Sequence, residues 1–189
     1  MIDSEPAPLN YAKPAVDGHG RPTLGTKEDA SGDQSRRLSP TIRPYGVEDW
    51  WRLQVIHDEA RQGELALAGL RDAFLPLKEA AEREGLFDGE VFVAELGGEV
   101  QGFAAIAGGE LTWLYCAPRM QRRGIGRALI RHAVKHCRSN LRVEVLEGNT
   151  PALTLYLSEG FRTLGRNTGR LAGNEAFAAS ALYLEYSQA

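Results

Sequence analysis

With 189 residues, 43% of them hydrophobic and 25% charged, the chain suffices for one enzyme-sized domain and falls short of two. A formal net charge of −3 argues against a bulk binder of polyanions, and no apolar run approaches the ~18 residues of a membrane span. The opening MIDSEPAPLN has acids and prolines where a secretory leader has a basic start, and Cys116 and Cys137 cannot build a disulfide framework, so the expectation is a cytoplasmic protein with no nucleic-acid or membrane partner.

In chain order, residues 1–38 hold Pro6, Pro8, Pro14 and Pro22 among many polar residues and few large apolar ones. Such a stretch cannot bury enough apolar surface to offset its ordering entropy, so it is expected to be a disordered extension, with residues 39–189 as the folded domain. From Ser39, SPTIRPY reads as a short strand ended by Pro44 and a turn at Gly46. Asp49 to Arg61 reads as a helix with Trp50, Trp51, Val55 and Ile56 on its apolar face. A second helical stretch covers Glu64 to Glu84, interrupted near Gly69 and broken at Pro76. EVFVAEL and QGFAAIA form a hairpin through Gly97-Gly98, and ELTWLYCAP follows Gly108-Gly109. The rest alternates: a helix over Gly124–Cys137, the strand LRVEVLE, a helix over Asn149–Glu159, a strand from Phe161 to Leu164, a Gly- and Arg-rich loop over Arg166–Asn174, and the closing strand ALYLEY. Hairpins followed by β-α-β alternation predict an α/β (α+β) domain with a mixed sheet and helices on both faces; an exposed final strand would offer a dimer edge.

The chemistry concentrates between Glu110 and Glu144, a window without a single acid that holds Arg119, Arg122, Arg123, Arg127, Arg131, Lys135, Arg138 and Arg142. At its centre, Gln121-Arg122-Arg123-Gly124-Ile125-Gly126-Arg127 lies between a strand and a helix. Free N–H groups at a helix start bind anions, the helix dipole adds to them, and glycines let phosphate oxygens come close to the backbone. A plain strand-to-helix turn with solvated arginines is the competing reading. Neither GxGxxG nor GxxxxGK[ST] is present. Ile125, Leu129, Ala133 and Cys137 form the buried stripe of the helix that follows. If the sheet opens beside Leu114, Tyr115 and Cys116, unpaired backbone groups there could bond an amide-rich arm as an added strand would.

The string ELTWLYCAPRMQRRGIGRALIRHAV resembles the acetyl-CoA-binding signature of the GNAT superfamily of N-acyltransferases, with its Q/R-x-x-G-x-G/A pattern. The segment from Asn149 through Ala152, Tyr156 and Gly160 to Phe161 resembles that family's N-x-x-A-x-x-x-Y-x-x-x-G-F. The likeness covers about residues 40–187. It implies a mostly antiparallel sheet of about six or seven strands, splayed where acetyl-CoA binds between ELTWLYC and LRVEVLE. By the same resemblance, the backbone of Leu114 and Cys116, with Tyr115 between them, would pair with pantetheine. Gln121, Arg122, Arg123, Gly124, Ile125, Gly126 and Arg127 would cradle the pyrophosphate, and Asn149 would touch the pantetheine.

The implied reaction is direct attack of a small-molecule or peptide amine on the thioester. Tyr156 is the expected proton donor to the departing thiolate, since a phenol near pKa ~10 can protonate a thiolate of ~8.5. The base is a glutamate or a water chain: Glu110, eleven residues before Gln121, is preferred to Glu144, five before Asn149, although Glu110 could instead cap the Gly-Gly turn and Glu144 could be an exposed strand carboxylate paired to Arg142. His132 and His136 have metal-ligand spacing with Cys137 beside them, but no further ligands are apparent and no metal is expected. A non-catalytic CoA-binding sensor or interaction module of the same fold is the alternative. Trp50, Trp51 and Phe74 fall where the family builds its acceptor pocket.

Overall fold

The computed structural model describes residues 39–188; the expectation for the N-terminal 38 lies outside the described residues. β1 (Thr41–Pro44) leads through a 3-10 turn, Val47–Asp49, into α1 (Trp50–Leu67). After a second 3-10 turn, Arg71–Ala73, and α2 (Leu77–Arg83) come β2 (Glu90–Leu96), β3 (Glu99–Ala107) and β4 (Glu110–Cys116). A 3-10 turn at Pro118–Met120 precedes α3 (Ile125–Cys137), β5 (Leu141–Leu146), α4 (Thr150–Ser158), β6 (Arg162–Arg170) and β7 (Ala178–Tyr186). Among the described residues the strands form one seven-stranded sheet in the order β1-β2-β3-β4-β5-β7-β6, antiparallel except for β4 against β5.

The sheet is covered on both sides. α3 and α4 pack on one face through Ile125, Leu129, Ile130, Ala133 and Tyr156, against Ala104, Leu111, Val143 and Leu184. α1 and α2 pack on the other through Leu53, Ile56, Leu77 and Ala80, against Val93, Phe103, Ala105 and Trp113. This two-sided burial explains why β2 and β3 read as nearly unbroken apolar runs. Gly97 and Gly98 have φ of 68° and 82°, the left-handed pair that a two-residue hairpin turn requires. No described helix is long and apolar enough to cross a membrane.

Three expectations change. The first helix does not stop at Arg61: α1 runs to Leu67, with Gly63 on its solvent side and Leu65 fully buried, and Gly69, just past the Ala68 cap, turns the chain away with φ of 73°. Burying Leu65 offsets the ~1 kcal/mol that a mid-helix glycine costs. The loop placed at Arg166–Asn174 is half strand, because β6 continues to Arg170 in register with Ala178. The final strand is not an edge: β7 is bonded by β5 and by β6, and β6 is the edge strand instead.

Candidate functional site

The site begins as a defect in the sheet. β4 and β5 pair in parallel only at Glu110 and Arg142, where the Arg142 N–H bonds the Gly109 carbonyl at 3.0 Å. Beyond that point β4 continues with β3 and β5 with β7, and the two strands part. The Ala117 N–H bonds Gln101 O at 2.9 Å, which sets the phase of the β3–β4 ladder. Trp113, Tyr115 and Ala117 therefore turn their backbone groups to β3, while those of Leu114 and Cys116 face the opening. Side chains alternate the other way: Leu114 and Cys116 pack on the α3 side, Tyr115 on the α1 side.

At the open end the chain enters α3 through a loop of unusual backbone. Arg122 has φ of 63° and Gly124, the N-cap, φ of 86°. Left-handed residues beside a helix start turn successive N–H groups toward one point, an anion-binding concavity. The first helical bond of α3 runs from the Ala128 N–H to Gly124 O at 2.9 Å, so the N–H groups of Ile125, Gly126 and Arg127 precede the helical ladder. Gln121, Arg122, Arg123 and Gly124 are exposed, the first turn holds no acid, and a Cβ on Gly124 would meet nothing within 4 Å. Ile125 is buried and anchors the loop under the sheet. A Cβ on Gly126 would come within 3.0 Å of Leu155 and 3.5 Å of the Cys116 sulfur, so the missing side chain lets α3 approach both β4 and α4. Arg127 differs from its neighbours: its guanidinium, like that of Arg131, is held by Glu159.

On the α1 side a polar network crosses the mouth of the opening. Asn149 caps α4, its Oδ1 accepting the Ala152 N–H at 3.2 Å, and its Nδ2 donates to Glu64 Oε1 at 3.2 Å. The Tyr115 hydroxyl donates to Glu64 Oε2 at 3.1 Å, and Arg61 donates to the same oxygen at 2.7 Å. The Tyr115 ring is held edge-on by the buried His57, with centroids 5.0 Å apart. Sequence reasoning missed Arg61 and Glu64, because it placed a helix break there. Their i, i+3 spacing on one continuous helix was the available signal.

Tyr156 is buried at 4% exposure, its ring edge-on to Phe161 at 5.3 Å. Burial, then the charge of Glu64 and the proximity of Cys116, hold its phenol well above the ordinary value, so it keeps its proton. Burial first, and Glu64 second, do the same to Tyr115. The Cys116 thiol is pushed up to about 12 by burial, which leaves it a poor nucleophile at neutral pH.

The two glutamates lie at and just beyond the closed end of the seam. Glu110 is opposite Arg142, so Leu114 lies four residues on, roughly 13 Å away at ~3.3 Å per residue. Glu144, two residues beyond Arg142, is two residues nearer the opening and lies opposite Tyr183, whose phenol it holds above the ordinary value. Glu144 is not paired with Arg142, which bonds Glu185 at 3.2 Å. His132 and His136 pack on Phe92, with ring centroids 4.4 Å and 5.0 Å away, and His136 bonds Glu90 at 2.8 Å. Trp50 leans on Phe87, Trp51 is exposed, and Phe74 packs beside Leu65. A cavity of about 430 Å³ adjoins the end of β5, lined by Leu67, Leu70, Leu146, Glu147, Thr168 and Ser180.

Comparison with known proteins points the same way. Residues 87–163 match the model of the acetyltransferase (GNAT) domain family. The peptidyl-lysine N-acetyltransferase YiaC of Escherichia coli K12 is 36% identical over 77 residues, covering 40% of this chain and 52% of that protein. The chain thus spans about half the length of the curated relative it matches. Among solved structures, the ribosomal-protein-alanine N-acetyltransferase of Brucella melitensis aligns with a TM-score of 0.59 at 24% identity, covering 78% of this chain and 99% of that one. A GCN5-related N-acetyltransferase of Rhodopseudomonas palustris aligns at 0.63 with 24% identity, covering 80% and 98%. These likenesses give the domain its fold.

Proposed function

We propose that this chain is a GNAT-superfamily N-acetyltransferase that moves an acetyl group from acetyl-CoA, its acyl-donor substrate, to an amine in the cytoplasm, a reading that motif, family model and fold support. The observation that carries this reading is the opening of the β4–β5 seam, with free backbone groups of Leu114 and Cys116 on one edge and the left-handed Arg122–Gly124 loop at its end. An amide-bearing arm ending in a diphosphate has the chemistry to satisfy both. The arm would extend β4 as a short added strand, and the N–H groups of the loop and of the first turn of α3 would take the phosphate oxygens. Arg122 and Arg123 supply charge there; Arg127 contributes backbone only, because Glu159 occupies its side chain.

In the transfer, the amine nitrogen forms a bond to the thioester carbon, the C–S bond breaks, and the sulfur leaves as thiolate. Tyr156 gives its proton to that thiolate, an assignment supported by its place on α4 in the same cluster as Cys116, at the edge of the opening. The amine arrives from the α1 side and loses a proton to Glu144, directly or through water; Glu144 is better placed than Glu110 because it lies two residues closer to the parting of the strands. A backbone N–H at Leu114 or Cys116 would stabilise the carbonyl oxygen as it gains charge. The inert Cys116 thiol supports direct attack over an acyl-cysteine intermediate. A protein or peptide amine is the acceptor we favour, since one relative is a peptidyl-lysine enzyme and a neighbour in fold a ribosomal-protein-alanine enzyme.

The test follows free thiol and product mass in mixtures of protein, acetyl-CoA and a panel of amines: lysine peptides, peptides with free N-termini, polyamines and amino acids. Thiol release tied to acetylation of one amine class, faster than in protein-free controls, is the expected result. Binding of CoA without transfer to any amine would favour the non-catalytic module.

A further inference from the structure

Where β4 and β5 no longer share backbone bonds, one side chain joins the two sides of the opening. Glu64, only 18% exposed on α1, takes the Tyr115 hydroxyl of β4 and the amide of Asn149, the residue that starts α4. The arrangement has a defined polarity. Oε2 accepts from Tyr115 and Arg61, Oε1 accepts from Asn149, and Asn149 must present its Nδ2 because its Oδ1 is engaged in the helix cap. Tyr156 stands seven residues along α4 from that cap, about 10 Å at 1.5 Å per residue, so a tilt at Asn149 moves the phenol relative to β4.

We propose that Glu64 is a positioning residue for acyl transfer, a strap from α1 that fixes the end of β4 and the start of α4 at a set separation across the opening. The proposal rests on the acetyl-transfer reading, and it assigns Glu64 no proton transfer: its carboxylate already accepts three donors, one of them a guanidinium. What it supplies is alignment of Tyr156 with the thioester, and misplacement by an ångström is enough to slow a transfer strongly.

The polarity of the network provides the test. In Glu64→Gln the new amide faces the Asn149 amide, donor against donor, and Asn149 cannot turn over without giving up its cap. In Asn149→Asp the cap survives but a carboxylate faces Glu64. In the double variant E64Q/N149D the Gln amide donates to the Asp carboxylate and the link is restored with its direction reversed. Each single variant is expected to lose kcat on the order of tenfold, in E64Q with KM for acetyl-CoA nearly unchanged because the Arg122–Gly124 loop is untouched, and the double variant to recover to within about threefold of wild type in kcat. Melting temperatures and CoA-induced shifts are recorded for each, so that kcat is compared per folded molecule. If E64Q does not fold, recovery of the double variant over N149D carries the comparison. Wild-type kcat in E64Q, or a double variant no faster than the slower single, overturns the positioning role while leaving acetyl transfer standing. Absence of transfer in the wild type overturns both.

Discussion

The two ends of the β4–β5 seam are built from the same pair of strands and hold together by different means. At the closed end the backbone does the work: Arg142 bonds Gly109, Glu110 sits opposite Arg142, and the surrounding charges are paired at the surface, Arg142 with Glu185. At the open end the backbone groups of Leu114 and Cys116 are turned to the gap, and side chains take over, with Glu64 linking Tyr115 to Asn149. A sheet satisfies its own polar groups along a ladder; interrupting the ladder leaves an edge that must be bonded by something else. In the proposed function the open end is the part that a ligand completes, while the closed end holds the two strands together. Substitutions at the two ends should separate function from stability.

The largest effect is expected at Tyr156. Tyr156→Phe keeps the ring against Phe161 and removes the proton, so kcat should fall on the order of a hundredfold with CoA affinity unchanged, read by thiol release beside thermal shift. Because burial holds this phenol above its ordinary value of 10.0, it stays protonated as pH rises, and the wild-type kcat should show no alkaline fall from this group below pH ~10. Equal loss of turnover and CoA binding would show that Tyr156 merely packs. Next come the glutamates. Glu144→Gln should lower kcat at pH 7 about tenfold, with the deficit shrinking toward pH ~10 as the amine deprotonates on its own, whereas Glu110→Gln at the closed end should lose less. The reverse ranking in a pH–rate comparison would move the base to Glu110. Gly124→Ala forces a side chain into the left-handed region, where it costs about 1 kcal/mol; a free loop that relaxes to escape this strain must recover it on binding, so CoA binding by calorimetry should weaken by up to roughly fivefold, with the core intact because nothing crowds a Cβ there. The smallest effect belongs to the closed end. Arg142→Ala removes an exposed ion pair, should cost less than ~1 kcal/mol in a denaturant melt, and should leave kcat alone. A large loss of activity there would erase the distinction between the two ends.

Much of this was legible in the sequence, for local reasons. The glycine pair at 97 and 98 and the stripe Ile125, Leu129 and Ala133 each encode their own geometry, and the structure has the turn and the buried helix face there, with Cys137 at the end of the stripe only partly buried; the left-handed backbone of Arg122 was not foreseen. The opening between β4 and β5 followed from the family motifs, not from periodicity. What escaped depended on partners distant in sequence. Glu64 acquires its place only because α1 continues through Gly63, and its partners lie 51 and 85 residues away. The length of β6 was set by pairing with β7, against its own glycine-rich composition, and the pairing of Arg142 with Glu185 instead of Glu144 required the strand order. Engagement of Arg127 by Glu159 was likewise invisible in a window that contains no acid.

The most direct measurement of the central claim is the melting temperature of the protein with acetyl-CoA, with CoA and with ATP. If the opening and its loop bind the acyl donor, a ligand at 100 times its dissociation constant should add about 2.7 kcal/mol, raising the melting temperature by several degrees with acetyl-CoA and CoA and much less with ATP. No shift at millimolar acetyl-CoA would contradict the account, leaving the Arg122–Gly124 loop as a turn and the parted strands as an irregularity of the sheet.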